Sequence, residues 1–356
     1  MGLLKSMTPL RRSCSPVSAP VSILLLAGLF FLIWFSPVVN AKMGGMCNEC
    51  HTMHNSENGS PVATDLEGNP VQTPYPSLLI SSCLGCHTSP GNSTIVDMGS
   101  WEIPAVNNLI EPVNSLAGGN FYYVEEEDSR GHNISQANPD GLLSAPPGGA
   151  FPEGGDYEGQ LRCAGTHGCH GYNGGHGEAA KDDEAKALGK AHHGAIVNSP
   201  VAESYRYLYG IKGKEDPDWE RDNSNTSHNE YKGSTNPASV DTMSSFCSEC
   251  HGNFHGTSGA GTSSPWIRHP TDKVLPVQPA EYAGYTVYSM VAPLARPDPD
   301  NVAFTNAVTP GQDIIMCLSC HRAHGSPYYK SLRWNYKSSD LATSLSGCSV
   351  CHTGKQ

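Results

Sequence analysis

The sequence predicts a mostly irregular chain with short helices and a few short strands, wrapped around prosthetic groups instead of a large apolar core. Its 356 residues include 38 Gly and 27 Pro, which interrupt regular elements, and apolar periodicity is weak along most of the chain. One short motif of cysteine and histidine also returns at irregular intervals. Such a chain gains much of its buried apolar mass from the groups that it binds.

The recurring motif is C-x-x-C-H. In a c-type haem site its two thiols bind the two vinyl groups of one haem, and the adjacent histidine ligates the iron. For a single copy the alternatives are a zinc half-site, which needs two pairs that combine in space, or a redox dithiol, which does not require the histidine. Five copies occur, so the sequence predicts a multihaem c-type cytochrome.

Each complete copy supplies two attachment cysteines and one proximal histidine. The copies are Cys47, Cys50 and His51; Cys83, Cys86 and His87; Cys247, Cys250 and His251; Cys317, Cys320 and His321; and Cys348, Cys351 and His352. A sixth pair, Cys163 and Cys169, is separated by five residues and is followed by His170. We predict a sixth covalently attached haem c there, because all cysteines other than Cys14 then form pairs.

Residues 1–41 have the features of a secretory signal peptide. Lys5, Arg11 and Arg12 precede an apolar run over 21–35, and Val39-Asn40-Ala41 provides a small-residue end. A retained membrane anchor is the alternative. We therefore expect residues 42–356 to form a single hexahaem domain that is secreted through the periplasm and lies outside the cell or on its surface.

The expected mature chain is acidic. Residues 42–356 carry 19 basic and 34 acidic side chains, a formal charge of −15 before any haem propionate is counted. This charge argues against binding to nucleic acid or to an anionic membrane surface.

Histidines outside the motifs are candidates for the second axial position of each iron. Of 16 histidines, six are proximal and ten remain. His54, His255 and His324 follow a proximal histidine by three or four residues, so on a helical turn each shares a face with it. Such a residue cannot reach the far side of the same haem, and we expect it to ligate a neighbouring one. The alternative is hydrogen bonding to propionates.

Local patterns give three further expectations. Residues 121–124 and 205–209 are predicted as strands, and Glu178–His193 as the clearest helix, ended by Gly194.

The last turn of that helix carries His192 and His193, our choices for the distal ligand of the Cys163/Cys169 haem. His228 and His176 are the next alternatives, and His167, inside the cysteine loop, is the least suitable.

Several of these motifs also resemble one family when they are read in order. The stretches are 50–56, 82–87, 131–134, 145–149, 250–255, 268–270, 317–324 and 348–352, and they resemble the OmcS type of outer-surface hexahaem cytochrome from metal-reducing bacteria. The resemblance implies a bis-histidine hexahaem protein that polymerises into an extracellular filament, a nanowire that carries electrons to redox partner cytochromes or metal oxides. It also implies distal ligands within the subunit at His132, His255, His269 and His324, and His54 as a ligand to a haem of the adjacent subunit.

The predicted function is extracellular electron transfer, without catalysis. A soluble periplasmic or cell-surface multihaem electron carrier is the main alternative. A haem reductase needs an open iron, and the surplus of histidines argues against one.

Overall fold

The computed structural model describes residues 48, 51–63, 69–75, 78, 83–99, 101–134, 146–147, 160–175, 177, 179–189, 192, 199–222, 224–255, 269–299 and 304–354. These residues lie in one compact unit, Ala41–Gln356. The predicted signal peptide falls outside the described residues, and the single-domain assignment stays a prediction. Within the described part of the chain, no helix is both long and apolar enough to span a membrane.

The described helices are short, and three of them carry attachment motifs. They are α1 (Cys83–His87), α2 (Tyr122–Glu126), α3 (Glu184–Ala187), α4 (Pro200–Glu203), α5 (Met243–His251) and α6 (Leu341–Cys351). Thr242 and Ser245 form a capping box at the start of α5, and Asp340 caps α6 by accepting a hydrogen bond from the Thr343 amide. Since residues three apart share a helix face, a C-x-x-C sequence in a helix presents both thiols on one side.

The strands are two or three residues long and pair only two at a time in the described chain. They are β1 (Ser56–Glu57), β2 (Ser60–Pro61), β3 (Thr88–Ser89), β4 (Ile95–Asp97), β5 (Glu102–Pro104), β6 (Asn107–Asn108), β7 (Arg162–Ala164), β8 (Gly168–His170), β9 (Gly213–Lys214), β10 (Glu230–Tyr231), β11 (Lys273–Val274) and β12 (Ile314–Ile315). The pairs are β1 with β2, β3 with β6, β4 with β5, β7 with β8, β9 with β10 and β11 with β12. The predicted class, mostly irregular with short helices and few short strands, is confirmed.

The two strand predictions were wrong. Residues 121–124 enter helix α2, where the Asn120 side chain accepts a hydrogen bond from the Tyr122 amide and Val124 is buried against Leu84. Residues 205–207 form a 3-10 turn in which Arg206 has a φ of 46°. In both segments packing of aromatic side chains outweighed the strand propensity of the sequence.

The helix predicted over 178–193 is much shorter in the described part of that range. Helix α3 covers Glu184–Ala187, and Asp183 caps it through the Lys186 amide. Asp183 is itself an extended residue, so the helix cannot begin before it. His192 lies beyond α3, and His193 is outside the described residues.

The apolar core is divided into small clusters. The largest lies around Tyr205, Tyr231 and Met316, a second around Leu275 and Tyr288, and a third between α1 and α2. Such division is expected where prosthetic groups take up much of the interior.

Helix α6 packs closely on Trp334 at Gly347. The tryptophan is buried, and its Nε1 donates to the Ser344 carbonyl at 3.1 Å. A Cβ at Gly347 would overlap the indole ring. We expect Gly347→Ala to reduce the free energy of unfolding by about 1–3 kcal/mol because the core would be overpacked.

Denaturant unfolding of the haem-loaded protein tests this expectation, with Gly91→Ala as the control. A Cβ at Gly91 meets nothing within 4 Å. Equal stability of the two variants would contradict the packing argument.

Candidate haem sites

The described attachment cysteines fit thioether formation. None of the ten described ones forms a disulfide. Cys83 and Cys86 lie on α1, Cys247 and Cys250 on α5, and Cys348 and Cys351 on α6, whereas Cys317 begins a 3-10 turn that ends just before Cys320. Cys47 and Cys50 are outside the described residues, and the adjacent His51 is half-buried.

The long sixth spacing closes into a compact loop. Strands β7 and β8 pair in parallel, with Arg162 opposite Gly168 and Ala164 opposite His170, so Cys163 and Cys169 occupy matching positions. Gly165 makes the turn with a φ of 90° and accepts a hydrogen bond from the Gly168 amide at 2.9 Å. Neighbouring strands are about 4.8 Å apart, so this loop brings the two cysteines as close as a helical C-x-x-C does.

Most motif histidines are oriented by a hydrogen bond from Nδ1 to a backbone carbonyl. The acceptors are Pro104 for His87 (2.7 Å), Arg206 for His170 (2.9 Å), Pro147 for His251 (2.7 Å) and Lys330 for His321 (2.9 Å). A carbonyl only accepts, so Nδ1 carries the proton and Nε2 keeps its lone pair. This is the tautomer that binds a metal through Nε2.

Three predicted distal histidines are oriented in the same way. Nδ1 of His54 donates to the Tyr75 carbonyl at 2.8 Å, that of His132 to Ala323 at 2.6 Å, and that of His269 to Pro270 at 3.1 Å. Their Nε2 atoms are therefore also in the metal-binding form.

Burial keeps many of these imidazoles neutral. It lowers the pKa of His87, His132, His170 and His321 below the ordinary value, and that of His324 to about 3. Only a neutral imidazole ligates iron, so the interior favours the ligating state.

Three pairs of histidine rings lie at a separation that fits one shared metal. The centroid distances are 6.0 Å for His132 and His251, 6.4 Å for His170 and His324, and 6.4 Å for His269 and His352. Two imidazoles bound at about 2 Å on opposite sides of one metal have centroids roughly 6 to 6.5 Å apart. Each pair joins one proximal histidine to one predicted distal histidine from elsewhere in the chain.

His324 lies opposite the proximal histidine of another motif. It follows His321 by three residues but faces His170, which belongs to another motif. His324 therefore faces the proximal histidine of a haem other than that of its own motif, as predicted, and it takes the position opposite His170 that the sequence assigned to His192 or His193. The segment from His321 to His324 is not helical. His54 is likewise outside any helix, with a φ of 55°, so the expected helical turn was wrong at both positions.

Cysteines of successive motifs lie side by side. Cys83 lies beside Cys163 and Cys247 beside Cys317, while Cys169 interacts electrostatically with Cys250, and Cys320 with Cys351. The sulfur atoms of Cys83 and Cys163 lie within 4.8 Å of each other, and a carboxylate oxygen of Glu184 lies within 4.8 Å of both.

The thiol pKa values reflect these contacts. Hydrogen bonds shared with Cys83 and Cys317 raise the pKa of Cys163 and Cys247, respectively. Burial, followed by the nearest thiol of the next motif, raises the pKa of both Cys169 and Cys320 to about 12. The thiols of successive motifs therefore interact from the second motif to the sixth.

Other predicted or alternative ligands have different surroundings. His255 Nε2 lies 3.0 Å from the Asp272 carboxylate, so its role as a distal ligand stays a prediction. His228 is fully buried, has a backbone carbonyl within hydrogen-bond distance of each ring nitrogen and stacks on Tyr288 at 3.6 Å between ring centroids, which is a structural role. His192 contacts the Tyr207 ring, and the positions of His193 and His176 lie outside the described residues.

Sequence reasoning missed several residues beside the sites. Glu281 lies 3.3 Å from Nδ1 of His352, and the buried Arg333 donates to the carbonyls of Leu318 and His321. Both belong to segments outside the motifs, and no local pattern marks them.

Comparisons with known proteins agree with the donor sets. A family profile described as a doubled CXXCH motif matches residues 308–356. The chain is 25% identical to C-type cytochrome OmcS of Geobacter sulfurreducens, over 81% of this chain and 78% of that protein. A solved structure, the Outer Membrane Cytochrome S filament from Geobacter sulfurreducens, is similar at 19% identity and a TM-score of 0.39, over 82% of this chain and 84% of that one. With its five complete C-x-x-C-H motifs, the chain is an OmcS-like multihaem c-type cytochrome, an electron-transport protein with covalently bound haem c.

Proposed function

We propose that the protein is a hexahaem, bis-histidine conduit for extracellular electron transfer. The twelve attachment cysteines hold the haems, and the six motif histidines provide the proximal ligands. His54, His132, His255, His269, His324 and one of His193 and His192 complete the iron coordination, with His324 opposite His170 at the Cys163/Cys169 site. When bound, haem c supplies one-electron exchange between ferric and ferrous iron.

The observation that carries this proposal is the set of three histidine ring pairs at 6.0 to 6.4 Å. Two histidines on one iron leave no open position for a substrate, which favours electron transfer over a reductase. The cysteines of successive motifs interact with one another. Each cysteine pair would hold the edge of its own haem, so these interactions support a continuous row of haems. A continuous row suits conduction along the subunit.

The geometry of His54 supports assembly from head to tail. Asn55 is buried and braces the segment, since its amide donates to the Val71 carbonyl at 2.6 Å and its oxygen accepts from the Ala63 amide at 2.7 Å. The neighbouring His54 is exposed, with Nδ1 held by Tyr75. An exposed imidazole in a fixed orientation suits a haem iron of a second subunit. Such a heterologous contact does not close on itself and grows into a filament.

We further propose that the filament lies outside the cell and passes electrons to redox partner cytochromes and metal oxides. Electron microscopy and pyridine haemochrome quantitation on one purified sample test the proposal. Long filaments with six haems per chain are the expected result. Six haems in discrete monomers would support the soluble carrier, and five would remove the Cys163/Cys169 site.

The variant His54→Ala tests the assembly step. We expect normal haem content and secretion but loss of filaments, because the imidazole that bridges two subunits is missing. The control is Glu57→Ala, which changes an exposed residue of β1 three positions after His54 and leaves His54 in place. Normal filaments from His54→Ala would rule out this residue as the bridge.

A further inference from the structure

The hydrogen-bond acceptor of His352 differs from those of other motif histidines. Nδ1 of His87, His170 and His321 faces a backbone carbonyl. Nδ1 of His352 instead faces a carboxylate oxygen, Oε1 of Glu281, at 3.3 Å. The last motif thus has an anionic partner where those motifs have a neutral one.

Glu281 is held in this position by hydrogen bonds from the two residues that follow His352. It lies in the 3-10 turn Ala280–Tyr282, and its side chain is only 15% exposed. Its carbonyl accepts from Thr353 Oγ1 at 2.6 Å and from the Gly354 amide at 3.2 Å. The carboxylate is therefore tied to the segment that directly follows His352.

The residue after Glu281, Tyr282, also contacts His352. The Tyr282 ring lies 5.0 Å from the His352 ring, between centroids. Glu281 and Tyr282 together fix the orientation of the imidazole plane.

The carboxylate changes the electronic character of the ligand. A carboxylate that accepts from Nδ1 draws the proton away from the ring and raises the basicity of Nε2 more than a carbonyl does. A more basic ligand stabilises the more positively charged state of the metal, which is the ferric state. The reduction potential of that iron therefore falls.

We propose that Glu281 is a positioning residue that lowers the reduction potential of the haem at Cys348 and Cys351 below the value that a neutral acceptor would give. The inference rests on the proposed function only in taking His352 as an iron ligand. It does not depend on filament formation or on the sixth haem. Among the motifs that the structure describes, this one interacts with the Cys317/Cys320 motif.

Spectroelectrochemical titration of the haem-loaded protein tests the proposal. Glu281→Gln keeps an oxygen acceptor and removes the charge. We expect the part of the absorbance change that belongs to one haem to shift to more positive potential. The low-spin ferric EPR signal of one haem should also change, while the haem content stays the same. Glu281→Asp is expected to restore part of the low potential.

The control variant is Glu126→Gln, which removes a carboxylate that pairs with Arg130 at 2.6 Å on the surface of α2. An unchanged titration of Glu281→Gln, or a uniform shift equal to that of the control, would overturn the proposal. Loss of one haem in Glu281→Gln would also overturn it, because the role would then be structural. Electron microscopy of the same samples separates these outcomes from failure of assembly.

Discussion

Replacing His269 by alanine is expected to open one iron per chain to exogenous ligands. Its ring lies 6.4 Å from that of His352, with the ring planes at 87°, and it is exposed, so its removal leaves the core packing intact. The haem at Cys348 and Cys351 would keep its proximal ligand and lose the distal one. We expect a change from low-spin to high-spin iron at one haem, which binds carbon monoxide when reduced.

Absorbance and resonance Raman spectra of the reduced protein, with and without carbon monoxide, measure this change. The matched control is His228→Asn, since both ring nitrogens of His228 lie within hydrogen-bond distance of backbone carbonyls, those of Asn229 and Thr305. We expect that variant to lose stability while its haems stay low-spin. Carbon monoxide binding by the unmodified protein, or none by His269→Ala, would contradict the assigned pair.

The second large effect is expected at a buried charge cluster. Arg296 is 6% exposed and forms an ion pair with Asp313, and its Nε lies 3.8 Å from the carboxylate of the fully buried Glu230. Its Nη2 also donates to the Ala307 carbonyl at 2.8 Å. Arg296→Leu would leave two buried carboxylates without their cation. We expect this to cost about 3–5 kcal/mol of folding free energy.

The shift of the denaturant midpoint of the haem-loaded protein measures this cost. The control is Arg221→Leu, which breaks a surface ion pair with Glu102 at 3.0 Å and is expected to cost about 0–1 kcal/mol. If both variants unfold at the same midpoint, the buried cluster does not contribute as proposed.

The sequence determined the features that depend on local spacing. C-x-x-C-H places two thiols and an imidazole within five residues, as at Cys83–His87, and the haem class of the protein follows from the repetition of this motif. Abundant Gly and Pro limit the length of helices and strands, and the structure confirms the irregular class. Local propensity was less informative where packing prevailed, as at Tyr122–Glu126, a helix in place of the predicted strand.

Only the tertiary structure decided which distant residues meet. His132 and His251 are 119 positions apart, and no local pattern could pair their rings at 6.0 Å. Glu281 meets His352 across 71 positions. Such contacts depend on how the whole chain folds, whereas a covalent attachment motif needs only a few consecutive residues.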